Sequence, residues 1–387
     1  VARFTKQKRR TYFRRQWHSL YSGKLRSYLI KKGVPYQERN PSDPEFATRV
    51  LPAVGHMVIP ILETPSGEIL QDSGDIIDHL EARYALPSLD PDTPVQKVIS
   101  ALFDSVGSEY LLPLAMHYRW SYRAEQDVFL QAEFGRAMVA GQSRDARREM
   151  AKAVMEVFAA FLPNLGVFPE TEKALETPYM DWLDALDAHF QSHPYLLGGR
   201  PCRGDFGMMA SLYAHLGRDP VPANLMKEKA PNLYRWTERM NVAVIPDGEY
   251  PGYGEDYARD DSIPETLEPV LSLVFRDWTP GLSADVDCFN QWAGDRSAGD
   301  IVSIGGKRSV HPGVGSVSYP FHGVEMKRGS APHAVWMFAR TQDLAHAMPD
   351  AAQTSFAALL ARTGGTEMFN LSIGARMARR DNVLVLA

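Results

Sequence analysis

Three short patterns in this chain could do chemistry. The first is Ser19-Leu20-Tyr21-Ser22-Gly23-Lys24-Leu25-Arg26, which sets hydroxyls at the start of a helix expected to run through Lys32. Backbone N–H groups at such a start are unpaired and the helix dipole is positive there, so a thiolate or other anion beside Ser19 would be favoured. Ser19 or Ser22 would serve equally well as a plain N-cap. The second is Asp72-Ser73, ahead of the helical spacing Ile76, Ile77, Leu80. A carboxylate and a hydroxyl there either cap the helix or hold an amino-acid-like ligand, the helix end and hydroxyl taking its carboxylate and the acid its ammonium. The third is Ile59-Pro60, a proline inside a strand-like run, which belongs at an edge or at a special, cis-type bend exposing the neighbouring backbone.

The elements that must position these residues can be read in order. A strand from Thr11 to Trp17, a loop at 18–23, a helix closed by Gly33 before Val34-Pro35, and a strand Tyr36–Arg39 make a βαβ unit. A connection rich in Pro and Asp leads to a hairpin, Val58–Leu62 and Glu68–Gln71 around Thr64-Pro65-Ser66-Gly67, and then to the helix at Asp72. This β-α-β, β-β-α order is that of a thioredoxin-like domain. After a proline-rich linker near 86–94 the texture is helical to about 245, with segments Val95–Tyr118, Arg123–Phe161, Glu170–Gln191, Asp205–Leu216 and Asn232–Met240. The expected class is therefore α+β multidomain. Residues 1–88 form the thioredoxin-like domain, 89–245 an all-α helical bundle and 246–262 an acidic, Gly- and Tyr-rich linker, with a smaller mixed α/β domain over 263–387.

Within that last segment, Pro264–Trp292 reads as helix with breaks at Pro269 and Pro280. Ser316–Phe321 and Ala334–Arg340 read as alternating segments, Ala351–Thr363 as a helix, and Val383–Ala387 as a strand. Gly305-Gly306-Lys307 is not a phosphate loop, because Ile301 stands where the first glycine belongs and Arg308 follows the lysine. The evenly spaced His311, His322 and His333 have no sulfur or acid cluster beside them, so no metal is expected. The segment carries no motif that reveals its role.

The bulk properties narrow the partners. A net charge of -5 gives no global case for nucleic acid or an anionic membrane surface. Seven basic residues in VARFTKQKRRTYFRR allow a nucleic-acid arm or a presequence fragment, but the arm reads more simply as what precedes the first strand. No uninterrupted apolar run has the ~20 residues needed to span a bilayer. The only cysteines, Cys202 and Cys288, make no disulfide framework or ligand-spaced cluster, which points to a reducing, cytoplasmic setting.

Taken together, Ser19 after the first strand, the Ile59-Pro60 step and Asp72-Ser73 at a helix start resemble the glutathione-binding half of the glutathione transferases. The resemblance extends over about 10–242. His193-Pro194-Tyr195-Leu196-Leu197-Gly198-Gly199-Arg200-Pro201-Cys202-Arg203-Gly204-Asp205-Phe206 looks like the family's loop into the buried helix of its second domain. It implies glutathione as co-substrate, with the Ser19 hydroxyl (runners-up Ser22 and Tyr21) activating the sulfur. The Ile59 backbone beside Pro60 would pair with the cysteinyl part, and Asp72 with Ser73 would hold the γ-glutamyl end. Asp205 would lock a helix start through a capping box weakened by Cys202, a poor acceptor. The thiolate would attack a small electrophile in a pocket for which Tyr110, Met116, His117 and Trp120 are candidates, though bundle core or interface suits them as well. A homodimer is implied. The rival reading is a non-catalytic protein of the same fold whose C-terminal segment carries the specific role. The absence of cysteine at the Ser19 position argues against disulfide exchange.

Overall fold

The computed structural model describes residues 10–387 apart from 85, 310 and 311, so most of the basic arm and His311 lie outside the described residues. The first layer is a four-stranded sheet in the order β2-β1-β3-β4, formed by β1 (Tyr12–Arg14), β2 (Gln37–Arg39), β3 (Ile61–Glu63) and β4 (Ile69–Gln71). β2 runs parallel to β1, and β3 and β4 are antiparallel to their neighbours. Helix α1 (Leu20–Lys32) joins β1 to β2, α2 (Leu51–Val54) precedes β3, and α3 (Ser73–Arg83) follows β4.

Local chemistry sets the ends of these elements. Ser19, extended at φ -87°, ψ 128°, accepts from the Ser22 N–H and starts α1, while Gly33 at φ 70° stops it. The loop before α1 is thus shorter than expected, and Ser22 and Gly23 lie inside the helix. The Ile59–Pro60 peptide is cis. Proline supplies no ladder donor, so pairing begins only at Ile61, opposite Arg14 and Gln71, three residues later than the sequence suggests.

The bundle comprises α4 (Pro94–Ser105), α5 (Leu112–Trp120), α6 (Arg123–Met138), α7 (Arg144–Ala159), α8 (Glu172–Ser192), α9 (Arg203–Ala214), α10 (Pro220–Lys229) and α11 (Pro231–Arg239). Two corrections concern this part. The expected helix 123–161 is two helices, because Gly141 at φ 87° turns the chain between α6 and α7. A further helix stands between the expected segments Asp205–Leu216 and Asn232–Met240, since Pro220 takes the first helical position of α10, where its missing N–H costs nothing. Between α4 and α5 one turn, Val106–Tyr110, widens to π geometry. There Gly107 lies against Gly207 of α9, where a Cβ would come within 2.3 Å of backbone atoms. The combined run Pro94–Trp120 is long and apolar enough to cross a membrane by length and composition, yet 72% of its most apolar window is buried inside this fold.

Residues 246–262 are sealed onto the bundle. Gly199 N–H donates to the Asp256 carbonyl at 2.8 Å, and Asp261 caps α4 by accepting from Val95 and Gln96 N–H at 2.9 and 3.0 Å. Beyond them α12 (Glu268–Ala293) lies along α8. It continues through Pro280, so that proline does not break it as expected; Arg328 and Asp285 tie the following turn to the next hairpin. That hairpin is β5 (Ser316–Phe321) and β6 (Val324–Gly329). Ala334–Arg340 is part of a helix rather than a strand, α13 (Pro332–His346), which packs on α4. Helices α14 (Asp350–Thr363) and α15 (Thr366–Phe369) follow, and a hairpin of β7 (Met377–Arg380) and β8 (Val383–Leu386) ends the chain. The main apolar core runs without interruption from Phe13 through Trp182 to Trp278 and Phe369, so residues beyond 263 share it.

Candidate active site

A cavity of about 810 Å³ is walled jointly by the sheet layer, the bundle and the C-terminal segment. Ser19, Ile59, Pro60, Asp72 and Ser73 all lie on its wall. Asp72 holds φ 79°, a backbone region disfavoured for a residue with a side chain, and its Oδ1 accepts from Gly74 N–H at 2.8 Å. Strain of this kind is maintained by surrounding structure and is concentrated at ligand sites.

The runners-up for the sulfur position are placed differently. Tyr21 is on the wall, but its hydroxyl donates to the Ser108 carbonyl at 3.0 Å. Burial, then Glu109 and Asp72, push its ionisation well above the ordinary range. Ser22 is not among the lining residues. Of the expected second-substrate residues, Tyr110, Met116 and Trp120 line the cavity, whereas His117 does not. Its ring is turned to Ser121 and Glu176, both at 2.9 Å, one helical face away from the cavity. Asp205 lies outside the cavity and accepts from Cys202 N–H, Leu196 N–H and Trp236 Nε1–H at 2.9, 3.1 and 3.0 Å. Burial raises its carboxyl to about 6 against the pull of those donors.

Beside the expected Tyr110 and Trp120, the wall holds His18, Glu109 and Lys24, to which the sequence assigns no site role. His18 is buried against Phe134, with ring centroids 4.0 Å apart, and neither ring nitrogen has a partner. Burial, then Arg119 and Arg218, hold its pKa well below the usual histidine value, so the ring is neutral. Trp120 Nε1–H is likewise unpartnered, and its ring lies 5.7 Å from Phe134. The wide turn at Val106–Tyr110 delivers Glu109 and Tyr110 to the wall. Lys24 is there too, paired with Asp104 at 2.5 Å.

The C-terminal segment reaches the Asp72 end. His333 Nδ1 bonds Glu109 at 2.8 Å, and its Nε2 stands 3.6 Å from Asp72 Oδ2. Arg379 Nη1 approaches the same Asp72 oxygen at 3.3 Å, and the guanidinium also meets Gln71 and Asp75. Burial acts to lower the His333 imidazole, but Glu109 and Asp72 outweigh it and raise its pKa to about 10. Asp72 in turn is held well below the carboxylate range, burial being overcome by His333, Arg379 and Lys24. Because His333 binds its proton more tightly when folded, its stabilisation is complete below the ordinary value of 6.5 and is lost as pH rises through about 10. The melting-temperature difference between the wild type and His333→Gln should therefore shrink between pH 7 and pH 10. A constant difference across that window would contradict the assignment.

Among the described residues no group of three or more His, Cys, Asp and Glu side chains is disposed to hold a metal ion. His322 pairs with Asp277 at 2.9 Å, apart from His333.

A thioredoxin-like layer joined to an all-helical bundle, with a cavity at their junction, defines the class of protein. Residues 18–88 match the family model described as the glutathione S-transferase N-terminal domain, and residues 150–242 match that of the C-terminal domain. These two stretches are similar to the two domains of the glutathione S-transferases, and the last segment lies outside both matches. No curated protein matches it. Among solved structures it is similar to a glutathione S-transferase of Methylobacterium radiotolerans crystallised with glutathione sulfonate (19% identity, 64% of this chain, 99% of that chain, TM-score 0.36). It is also similar to a Tau class glutathione S-transferase of mango, Mangifera indica (17%, 68%, 96%, 0.34), and to a β-etherase of Sphingobium (17%, 60%, 94%, 0.40).

Proposed function

We propose that this protein is a glutathione-dependent transferase of the serine type, in which the Ser19 hydroxyl and the start of α1 stabilise the glutathione thiolate for attack on a small electrophile. The observation that carries this reading is the convergence of Ser19, the cis Ile59–Pro60 step, Asp72 and Ser73 on one cavity wall that continues into an apolar chamber. Ile59 offers backbone to the cysteinyl part, Asp72 and Ser73 meet the γ-glutamyl end, and the thiolate is the attacking species. The division into a peptide-binding layer over 1–88, a bundle over 89–245 and an added unit over 263–387 belongs to this reading. So do a cytoplasmic setting and the homodimer implied by the resemblance.

Binding to immobilised glutathione and conjugation of a chloronitrobenzene test the proposal. Absence of both would sink it in favour of a non-catalytic protein of the same fold.

A further inference from the structure

The Asp72 end of the cavity is charged in a way that bears on the ligand. Of the Asp72 carboxylate, Oδ1 is taken by the Gly74 N–H at 2.8 Å, and Oδ2 faces two cations from the C-terminal segment, Arg379 at 3.3 Å and His333 at 3.6 Å. His333 is anchored from the other side by Glu109 at 2.8 Å, and Arg379 by Asp75 at 2.8 Å and by Gln71, so neither cation is free to swing away. The hairpin carrying Arg379 is itself fixed over the loop before Pro60. Asn382 Nδ2–H donates to the Val54 carbonyl at 3.4 Å, and Arg308 Nη1–H donates to the Asp381 carbonyl at 2.7 Å while lying against Gly55. His56, on the same wall, has a lowered pKa from burial and then from Arg308 and Arg379, so the Arg379 side of this end is cationic.

A ligand ammonium needs an acceptor whose charge is not already neutralised. Here it would have to approach Asp72 Oδ2 alongside two positive groups, and like charges at such separations in a partly buried site repel. A carboxylate in the same place is favoured by the start of α3, the Ser73 hydroxyl, Arg379 and His333, and opposed by Glu109 and Asp75 only from the far sides of those two cations.

The geometry points to a specificity device: Arg379 and His333 occupy the acceptor that Asp72 would offer to a ligand ammonium, so the distal end of the bound thiol is recognised as a carboxylate without a free amino group. This rests on the thiol-peptide reading above and refines it. Glutathione remains a ligand, but its α-amino group weakens binding, and thiol peptides with an absent or acylated amine are the better fit.

The test is calorimetric titration of the full chain with glutathione and with glutaryl-cysteinylglycine, which is glutathione lacking only the α-amino group. Wild type should bind the desamino peptide at least fivefold more tightly. In Arg379→Ala and in His333→Ala, each checked for an intact fold by circular dichroism, that preference should vanish or reverse as Asp72 is released. Glutathione binding wild type as tightly as, or more tightly than, the desamino peptide would overturn the inference and leave the proposed function standing. Neither peptide binding any of the three proteins would overturn the thiol-peptide reading, and the inference with it.

Discussion

Replacing Ser19 by Ala is expected to lower kcat/KM for conjugation by about 10- to 150-fold, the kinetic equivalent of losing one hydrogen bond to a charged group worth about 1.5–3 kcal/mol. Ser19 is half-buried on the cavity wall, and its oxygen accepts only a long 3.4 Å bond from Ser22 N–H, so its own proton is free for a sulfur. KM for glutathione should change little, because Ile59, Asp72 and Ser73 remain in place. The acid limb of the pH–rate profile should move up by about 1–2 units as the bound thiol loses its stabilising donor. Removing the N-cap also costs about 1 kcal/mol of stability, so the comparison is made well below the melting transition. Ser19→Thr, which keeps a hydroxyl, should retain most of the activity. A rate for Ser19→Ala within twofold of wild type would remove the serine from the chemistry.

The largest stability effect should come from Arg119. Its Nε and Nη2 grip Asp219 at 2.6 and 2.8 Å, its Nη1 donates to the His18 carbonyl at 2.8 Å, and Nη2 also reaches the Ala214 carbonyl. Both partners of this ion pair are buried, and burial raises the Asp219 carboxyl while Arg119 opposes it. Arg119→Leu leaves that acid without its cation and should cost about 3–5 kcal/mol in urea unfolding. It also releases the backbone of His18, next to Ser19, so activity should fall at temperatures where the protein is still folded. Replacing both members, Arg119→Leu with Asp219→Leu, should recover a large part of the stability, because an apolar pair leaves no buried charge. A cost below about 1 kcal/mol for the single change would show that the pair is not a stabilising element.

The parts of the molecule that were legible in the sequence are those set by neighbouring residues. Gly33 ends α1 because only a local left-handed turn is needed there, and Asp72 starts α3 through a bond to Gly74, two positions on. The sheet order follows from the same short-range elements. Local reading failed where a longer window or a distant partner decides. The alternation in Ala334–Arg340 is part of a helical pattern that becomes plain only with Thr341, Gln342 and Ala345, which are buried on the same side. Pro280 reads as a break because a proline inside a helix removes a hydrogen bond, yet α8 and the β5–β6 hairpin pack along the helix across it.

The candidate site divides in the same way. Its peptide wall comes from positions close together in sequence, whereas Arg379 meets Asp72 across 307 residues and no motif near either end signals the other. In the sequence His333 stands out only as one of three spaced histidines, a pattern unrelated to its partners Glu109 and Asp72. Glu109 reaches the wall through a widened turn, and periodicity averaged over a helix does not resolve such a turn.

The most direct measurement is a crystal structure of the full chain grown with saturating glutathione. The account predicts the peptide in the 810 Å³ cavity, its sulfur hydrogen-bonded to Ser19 Oγ, its cysteinyl backbone paired with Ile59, and its γ-glutamyl carboxylate at Ser73 and Arg379. Glutathione absent from that cavity, or bound there with its sulfur away from Ser19, would contradict it.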